Sequence, residues 1–156
     1  MDFRVGLGFD SHEFEVGKPL FLGGIEIDYH SGLRGHSDGD VIIHAIVDAL
    51  LGATGKGDIG MLFSDDGSEW KNARSTLFLE KVMDVVRGEG FYVVNLDCVV
   101  IADEPKIQPH RESIICSLSE LLGVPAKRIS VKGKRKEGIS CVEGIACICS
   151  VLLGRS

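Results

Sequence analysis

The run EGIACICSVLL at residues 143–153 is apolar at consecutive positions rather than at alternate ones. A strand with one wet face alternates polar and apolar side chains, so a run of this kind needs cover on both faces. Helices elsewhere in the chain can supply that cover on one side. In a chain of 156 residues, neighbouring copies cover the other side most easily, and a homo-oligomer is expected. A globular chain of this length buries roughly 70% of its unfolded surface, so a single domain over 1–156 is expected.

The other elements read as follows. Residues 3–9 and 20–29 are strand-like, the second carrying Phe21, Ile25 and Ile27 after Pro19, and together they predict a hairpin. A Gly-, Ser- and His-rich stretch at 30–40 leads to a helix with Asp40 as N-cap, running to about Gly52. Its residues Ile42, Ile43, Ile46, Val47 and Leu50 form an apolar stripe, whereas Asp40, His44 and Asp48 recur every four residues on another. An acidic loop at 63–75 precedes a second helix ending near Gly88 and Gly90. Residues 91–102 form a strand, 110–122 a third helix, and 129–133 and 143–153 two strands around the basic loop KGKRKEGISC. This order predicts an α+β sandwich, with helices on one face of a four-stranded mixed sheet plus the N-terminal hairpin.

Composition removes several classes of function. A formal charge of −6 opposes binding to a phosphate backbone, so no nucleic-acid partner is expected. No apolar run reaches membrane-spanning length and the N-terminus enters a strand pattern directly, which predicts a cytoplasmic protein with no membrane partner. The five cysteines form no C-x-x-C pair and read as reduced thiols, most of them small core residues. GKGDIG at 55–60 formally fits a dinucleotide fingerprint but follows a helix, and no P-loop motif occurs.

Asp10 and His12 are two apart on a strand, so both side chains leave the same face. With His44 they offer two imidazoles and a carboxylate, a set suited to zinc that leaves a fourth position open. Asp48 could orient one histidine ring from behind. On spacing alone, ordinary surface or hydrogen-bonded core histidines are an equal alternative.

GFDSHEF at 8–14, HSDGDVIIHAIVDALLGA at 36–53, GDIGMLF at 57–63 and EPKIQPH at 104–110 resemble the 2-C-methyl-D-erythritol 2,4-cyclodiphosphate synthase family in order and spacing. The resemblance implies a homotrimer of ferredoxin-like subunits with active sites shared between neighbours. The implied reaction converts 4-diphosphocytidyl-2-C-methyl-D-erythritol 2-phosphate to the 2,4-cyclodiphosphate and CMP, a lyase step in non-mevalonate isoprenoid biosynthesis. Asp10, His12 and His44 then match the zinc ligands, one Zn2+ per subunit, and Mg2+ or Mn2+ accompanies the substrate diphosphate. His36 and Ser37 match the pair near the substrate phosphate. Asp58, Ile59 and Gly60, with the loop containing Phe63 and Asp65, match the part that holds the methylerythritol unit. Ala102, Pro105, Lys106, Ile107 and Gln108 match the cytidine pocket.

The chain departs from that pattern twice. The family's Phe-Pro-Asp-Thr-Asp loop reads FSDDG at 63–67, and its threonine-containing segment is replaced by GKRKEGISCV at 133–142. There Glu137 is the candidate for the second metal. Lys134 and Arg135 are the candidate diphosphate contacts, Arg135 because a guanidinium grips phosphate oxygens bidentately. Two other readings use the same features. A trimeric ferredoxin-like nucleotide-sensing module would not need the metal ligands, and a metal-dependent phosphohydrolase would release inorganic phosphate.

Overall fold

The computed structural model describes residues 1–63, 70–139 and 143–156. Its main sheet runs β4-β1-β7-β5-β6, formed by β1 (Asp2–Val16), β4 (Ser31–Leu33), β5 (Tyr92–Ile101), β6 (Ile129–Lys134) and β7 (Gly144–Arg155). Among the described strands only β5 and β6 are parallel, and a helix joins them, as is usual for a parallel pair. Strands β2 (Leu20–Leu22) and β3 (Ile25–Ile27) pair separately. Helix α1 (Val41–Thr54) lies on β1 and β7, α3 (Ser75–Gly88) packs on α1 and on α4 (Arg111–Leu122), and α4 also meets β6. A single turn, α2 (Ile59–Leu62), follows α1.

The α+β architecture with a mixed sheet is therefore present, but two expectations need correction. The sheet has five strands rather than four, because β4 pairs with the far end of β1 between Phe14 and Val16. The expected hairpin of 3–9 with 20–29 does not form. Residues 2–13 pair instead with β7, from Asp2 against Arg155 to Glu13 against Gly144. The two-residue turn Gly23-Gly24, both at positive φ, closes β2 directly on β3, and leaves β1 free for its distant partner.

Why β1 takes that place is written in its alternation. Gly6 and Gly8 face α1, where a Cβ would lie 1.7 Å from the Ala49 carbonyl oxygen and 1.9 Å from that of Ala45, respectively. Only glycine allows the helix backbone this close. Phe3, Val5, Leu7 and Phe9 leave the opposite face and stay exposed, Leu7 at 70% and Phe9 at 58%. Ile148 of β7 pairs with Phe9 on that same face. The last strand alternates accordingly: Ile145, Cys147, Cys149, Val151 and Leu153 are buried beneath the helices, while Ile148 is exposed.

Asp40 is the predicted N-cap of α1. One of its oxygens accepts from Ile43 N at 3.1 Å and Gly23 N at 2.9 Å, and the other from Gly24 N at 2.7 Å. The cap thus ties the β2–β3 turn to the helix start. Burial, with the Asp38 charge, pushes the Asp40 carboxyl upward against these three amide bonds. Gly55, left-handed at φ 69°, ends α1. Cys98, Cys147 and Cys149 are core residues as expected, Cys116 is exposed, and Cys141 lies outside the described residues. No helix among the described residues is long and apolar enough to cross a membrane.

Candidate active site

Glycine-mediated contact between β1 and α1 determines what happens two residues further on. Asp10 and His12 continue the helix-facing register of Gly6 and Gly8, and His44 precedes the Ala45 carbonyl that Gly8 approaches. The three side chains therefore converge. Asp10 Oδ2 lies 2.7 Å from His12 Nε2 and 3.0 Å from His44 Nδ1, and the two ring nitrogens are 3.2 Å apart. Ligand atoms of a tetrahedral site with bonds near 2.0–2.2 Å stand about 3.3 Å apart, so a divalent ion needs only a slight opening of this cluster. Three atoms that all carry lone pairs also require a cation among them, either a proton or a metal. The residues fit a metal on both size and donor type.

The electrostatics agree. Burial pushes the Asp10 carboxyl up, but hydrogen bonds and charge from His12 and His44 outweigh it and hold it at about 2. Burial pushes the His44 imidazole down, but its bond to Asp10 and the charges of Asp10, Asp40 and Asp38 raise it overall.

His44 is 9% exposed, and its Nε2 edge faces Ser75 Oγ at 2.8 Å and Ser37 Oγ at 3.1 Å. Ser37 thus stands beside the triad. His36 next to it is exposed, its carbonyl accepting from Asn72 N at 2.8 Å. Asp48 does not orient a histidine, which corrects the sequence expectation. Its Oδ1 accepts from Ile59 N at 2.8 Å, one helical turn beyond His44, and so docks the 58–60 turn beside the triad. Asp58 caps α2 through Met61 N at 2.9 Å. Burial raises the Asp48 carboxyl. Phe63 is buried against Trp70 and Phe78, and Asp65 lies outside the described residues.

The remaining candidates gather elsewhere. Ala102, Lys106, Ile107, Gln108, Lys134 and Arg135 line a cavity of about 680 Å³, and Pro105 is buried in the adjoining turn. Arg111 and Lys132 line it too, so its wall is basic although the chain is acidic. Sequence reading missed both, because each looks like an ordinary exposed charge on its own element. Ser11, Ala146, Ile101 and Lys134 form one row across β1, β7, β5 and β6. Three strand spacings therefore separate the triad's strand from the cavity's, about 14 Å. Lys134 and Arg135 also line a second cavity of about 740 Å³, on the bare face, with Phe9, Val99 and Ile101. Beyond them Lys136 N donates to Asp103 at 3.0 Å, and Ile139 N donates to the Lys136 carbonyl. Glu137 and Gly138, both at positive φ, occupy the centre of that tight turn. This places Glu137 exposed at the loop tip.

Comparison with known proteins agrees with the geometry. The model of the YgbB family matches residues 3–154. A 2-C-methyl-D-erythritol 2,4-cyclodiphosphate synthase of Aquifex aeolicus is 57% identical over 98% of both chains. One of Hydrogenobaculum is 49% identical over 97% of both. A solved structure of a synthase of the same name, in a CDP-bound form, superposes with a TM-score of 0.91 at 41% identity, covering 97% of this chain and all of the other. A Plasmodium falciparum CDP complex gives 0.86 at 36% identity, covering 99% and 97%.

Proposed function

The chain belongs to the YgbB family, and we propose on that premise that it cyclises 4-diphosphocytidyl-2-C-methyl-D-erythritol 2-phosphate to the 2,4-cyclodiphosphate with release of CMP, in non-mevalonate isoprenoid biosynthesis. The observation that carries this reading is the convergence of Asp10, His12 and His44 on one point. A divalent ion held there, zinc by its donor set, would withdraw charge from a phosphoryl oxygen and orient it.

The chemistry asks little else of the protein. An oxygen of the substrate's own 2-phosphate, anionic at neutral pH, bonds to the phosphorus nearer the methylerythritol, and the bond from that phosphorus to the CMP oxygen breaks. No general base is needed; positioning and relief of charge repulsion are. We assign Ser37 and His36 to the phosphate beside the triad, and Asp58, Ile59, Gly60, Phe63 and Asp65 to the methylerythritol unit. The cavity at Ala102, Pro105, Lys106, Ile107 and Gln108 takes the cytidine, and Lys134 and Arg135 take the diphosphate. Glu137 is assigned to a second ion, Mg2+ or Mn2+.

A homotrimer of these single-domain, ferredoxin-like subunits completes the proposal, and a cytoplasmic setting suits its free thiols. The separation of triad and cavity within one chain and the exposed Phe3, Val5, Leu7 and Phe9 support sites shared across the bare sheet face. Incubating purified protein with the diphosphocytidyl substrate tests the activity. Equal amounts of CMP and a cyclic diphosphate are expected. Release of inorganic phosphate would instead indicate a hydrolase, and binding of the nucleotide without turnover a sensing module.

A further inference from the structure

His44 can serve the metal only through Nδ1, the nitrogen that faces Asp10 and His12, and only if its proton sits on Nε2. The other side of the ring contains a hydrogen-bond chain that imposes this state. Ser75, the fully buried first residue of α3, lies 2.8 Å from Nε2. Its hydroxyl donates to Asp38 Oδ1, and its backbone N–H donates to Asp38 Oδ2 at 3.0 Å. Asp38 in turn accepts from Asp40 N at 3.1 Å and from Arg74 Nε at 3.2 Å. Arg74 is held by the Gly24 carbonyl at 3.1 Å and by the face of Phe21, 4.0 Å from its centre.

The direction of this chain follows from donor inventory. A carboxylate only accepts, so the single hydroxyl proton of Ser75 goes to Asp38. Towards His44, Ser75 then presents a lone pair, which calls for a proton on Nε2. A neutral imidazole protonated there has its lone pair on Nδ1, aimed at the point shared with Asp10 Oδ2 and His12 Nε2.

We propose that Ser75 and Asp38 are positioning residues of the metal centre, holding the His44 proton on Nε2 and so presenting Nδ1 to the ion. The proposal rests on the metal reading of Asp10, His12 and His44. It also gives α3 a part in the site, since the residue that polarises His44 is the one that starts that helix.

Zinc affinity, measured by competition with a chromophoric chelator, tests it on wild type, Ser75→Ala, Ser75→Thr and Asp38→Asn, with the melting temperature of each metal-free protein recorded alongside. Ser75→Ala and Asp38→Asn should bind zinc about 10- to 100-fold more weakly, the usual cost of losing such a partner, with Ser37 retaining part of the effect in the first. Ser75→Thr, which keeps the hydroxyl, should recover most of the affinity. A purely structural role would lower the melting temperature and leave the affinity of the folded protein unchanged, and that result overturns the proposal. Failure of wild type to bind zinc overturns the metal reading itself. Long-range 1H–15N spectra of the zinc-loaded wild type are independent of whether any variant folds. They should show His44 ligated through Nδ1 with Nε2 protonated, and ligation through Nε2 would also overturn the proposal.

Discussion

The two faces of β1 carry opposite sequences. Towards α1 the strand reads Gly6, Gly8, Asp10, His12; away from it, Phe3, Val5, Leu7, Phe9. The first face is small where the helix must come close and polar where the helix offers His44, so it is completed inside one chain. The second is large, apolar and exposed, and none of the described residues covers it. One strand thus carries two donors of the metal-fitting triad on one side and an exposed apolar surface on the other, and the glycines that make the first possible leave the core nothing large to bury there.

Placing a charge on the bare face should break this arrangement most severely. Leu7→Lys puts an uncompensated charge into the proposed interface at a cost of about 3–5 kcal/mol per copy. Sedimentation at micromolar concentration should then show a monomer for the variant and the proposed trimer for the wild type; an active wild-type monomer would remove the interface altogether. On the other face, His44→Ala should abolish zinc binding and lower turnover about a thousandfold or more, several kcal/mol of lost charge stabilisation, while circular dichroism still reports a folded chain. Equal zinc in wild type and variant by elemental analysis would contradict the triad's role.

Where the two faces meet, Arg135 lines both cavities. Arg135→Ala should lower kcat and kcat/KM together by about 2–4 kcal/mol, as for loss of a charge-stabilising donor. Unchanged kinetics in it and in Lys134→Ala would return the segment to an ordinary solvated loop. Gly8→Ala tests the close contact itself. Its Cβ would meet backbone rather than a yielding side chain, so denaturant unfolding should show a loss of about 1–3 kcal/mol, with zinc affinity falling as His44 is pushed away.

The smallest effect is the pH dependence of the metal-free protein. His44 is raised above its ordinary 6.5, so its contribution is complete below pH 6.5 and is lost as pH rises through the raised value. Asp10 is lowered from 3.8 to about 2, so its contribution is complete above pH 3.8 and is lost as pH falls through about 2. Together they favour the folded state most between pH 3.8 and 6.5. Zinc bound at Nδ1 would displace the second proton of the charged His44 ring and leave the one on Nε2, so the melting-temperature gain on adding zinc should grow from pH 5.5 to 8. A gain that shrinks over that range would point to ligands other than His44.

Much of the site was legible without coordinates because its signals are local. The two-residue period of a strand puts Asp10 and His12 on one face, the four-residue recurrence in α1 picks out His44, and Asp40 announces itself as a cap. The same locality misled elsewhere: Asp48, on the histidine's stripe, reads as that ring's partner, yet it accepts from Ile59 N.

What tertiary structure alone decided is which distant segments meet. Apolar β1 and its neighbour in sequence read as a hairpin, but strand pairing has no local code, and β1 went to β7 because their glycine and cysteine faces fit beneath α1 together. Ser75 lies 31 residues from His44 and 37 from Asp38, and a serine opening a helix gives no sign of what its hydroxyl will touch. Side-chain periodicity is a property of the chain's own backbone and can be read from it. A hydrogen bond across packed elements exists only once close packing has chosen which of many possible neighbours stands within 3 Å.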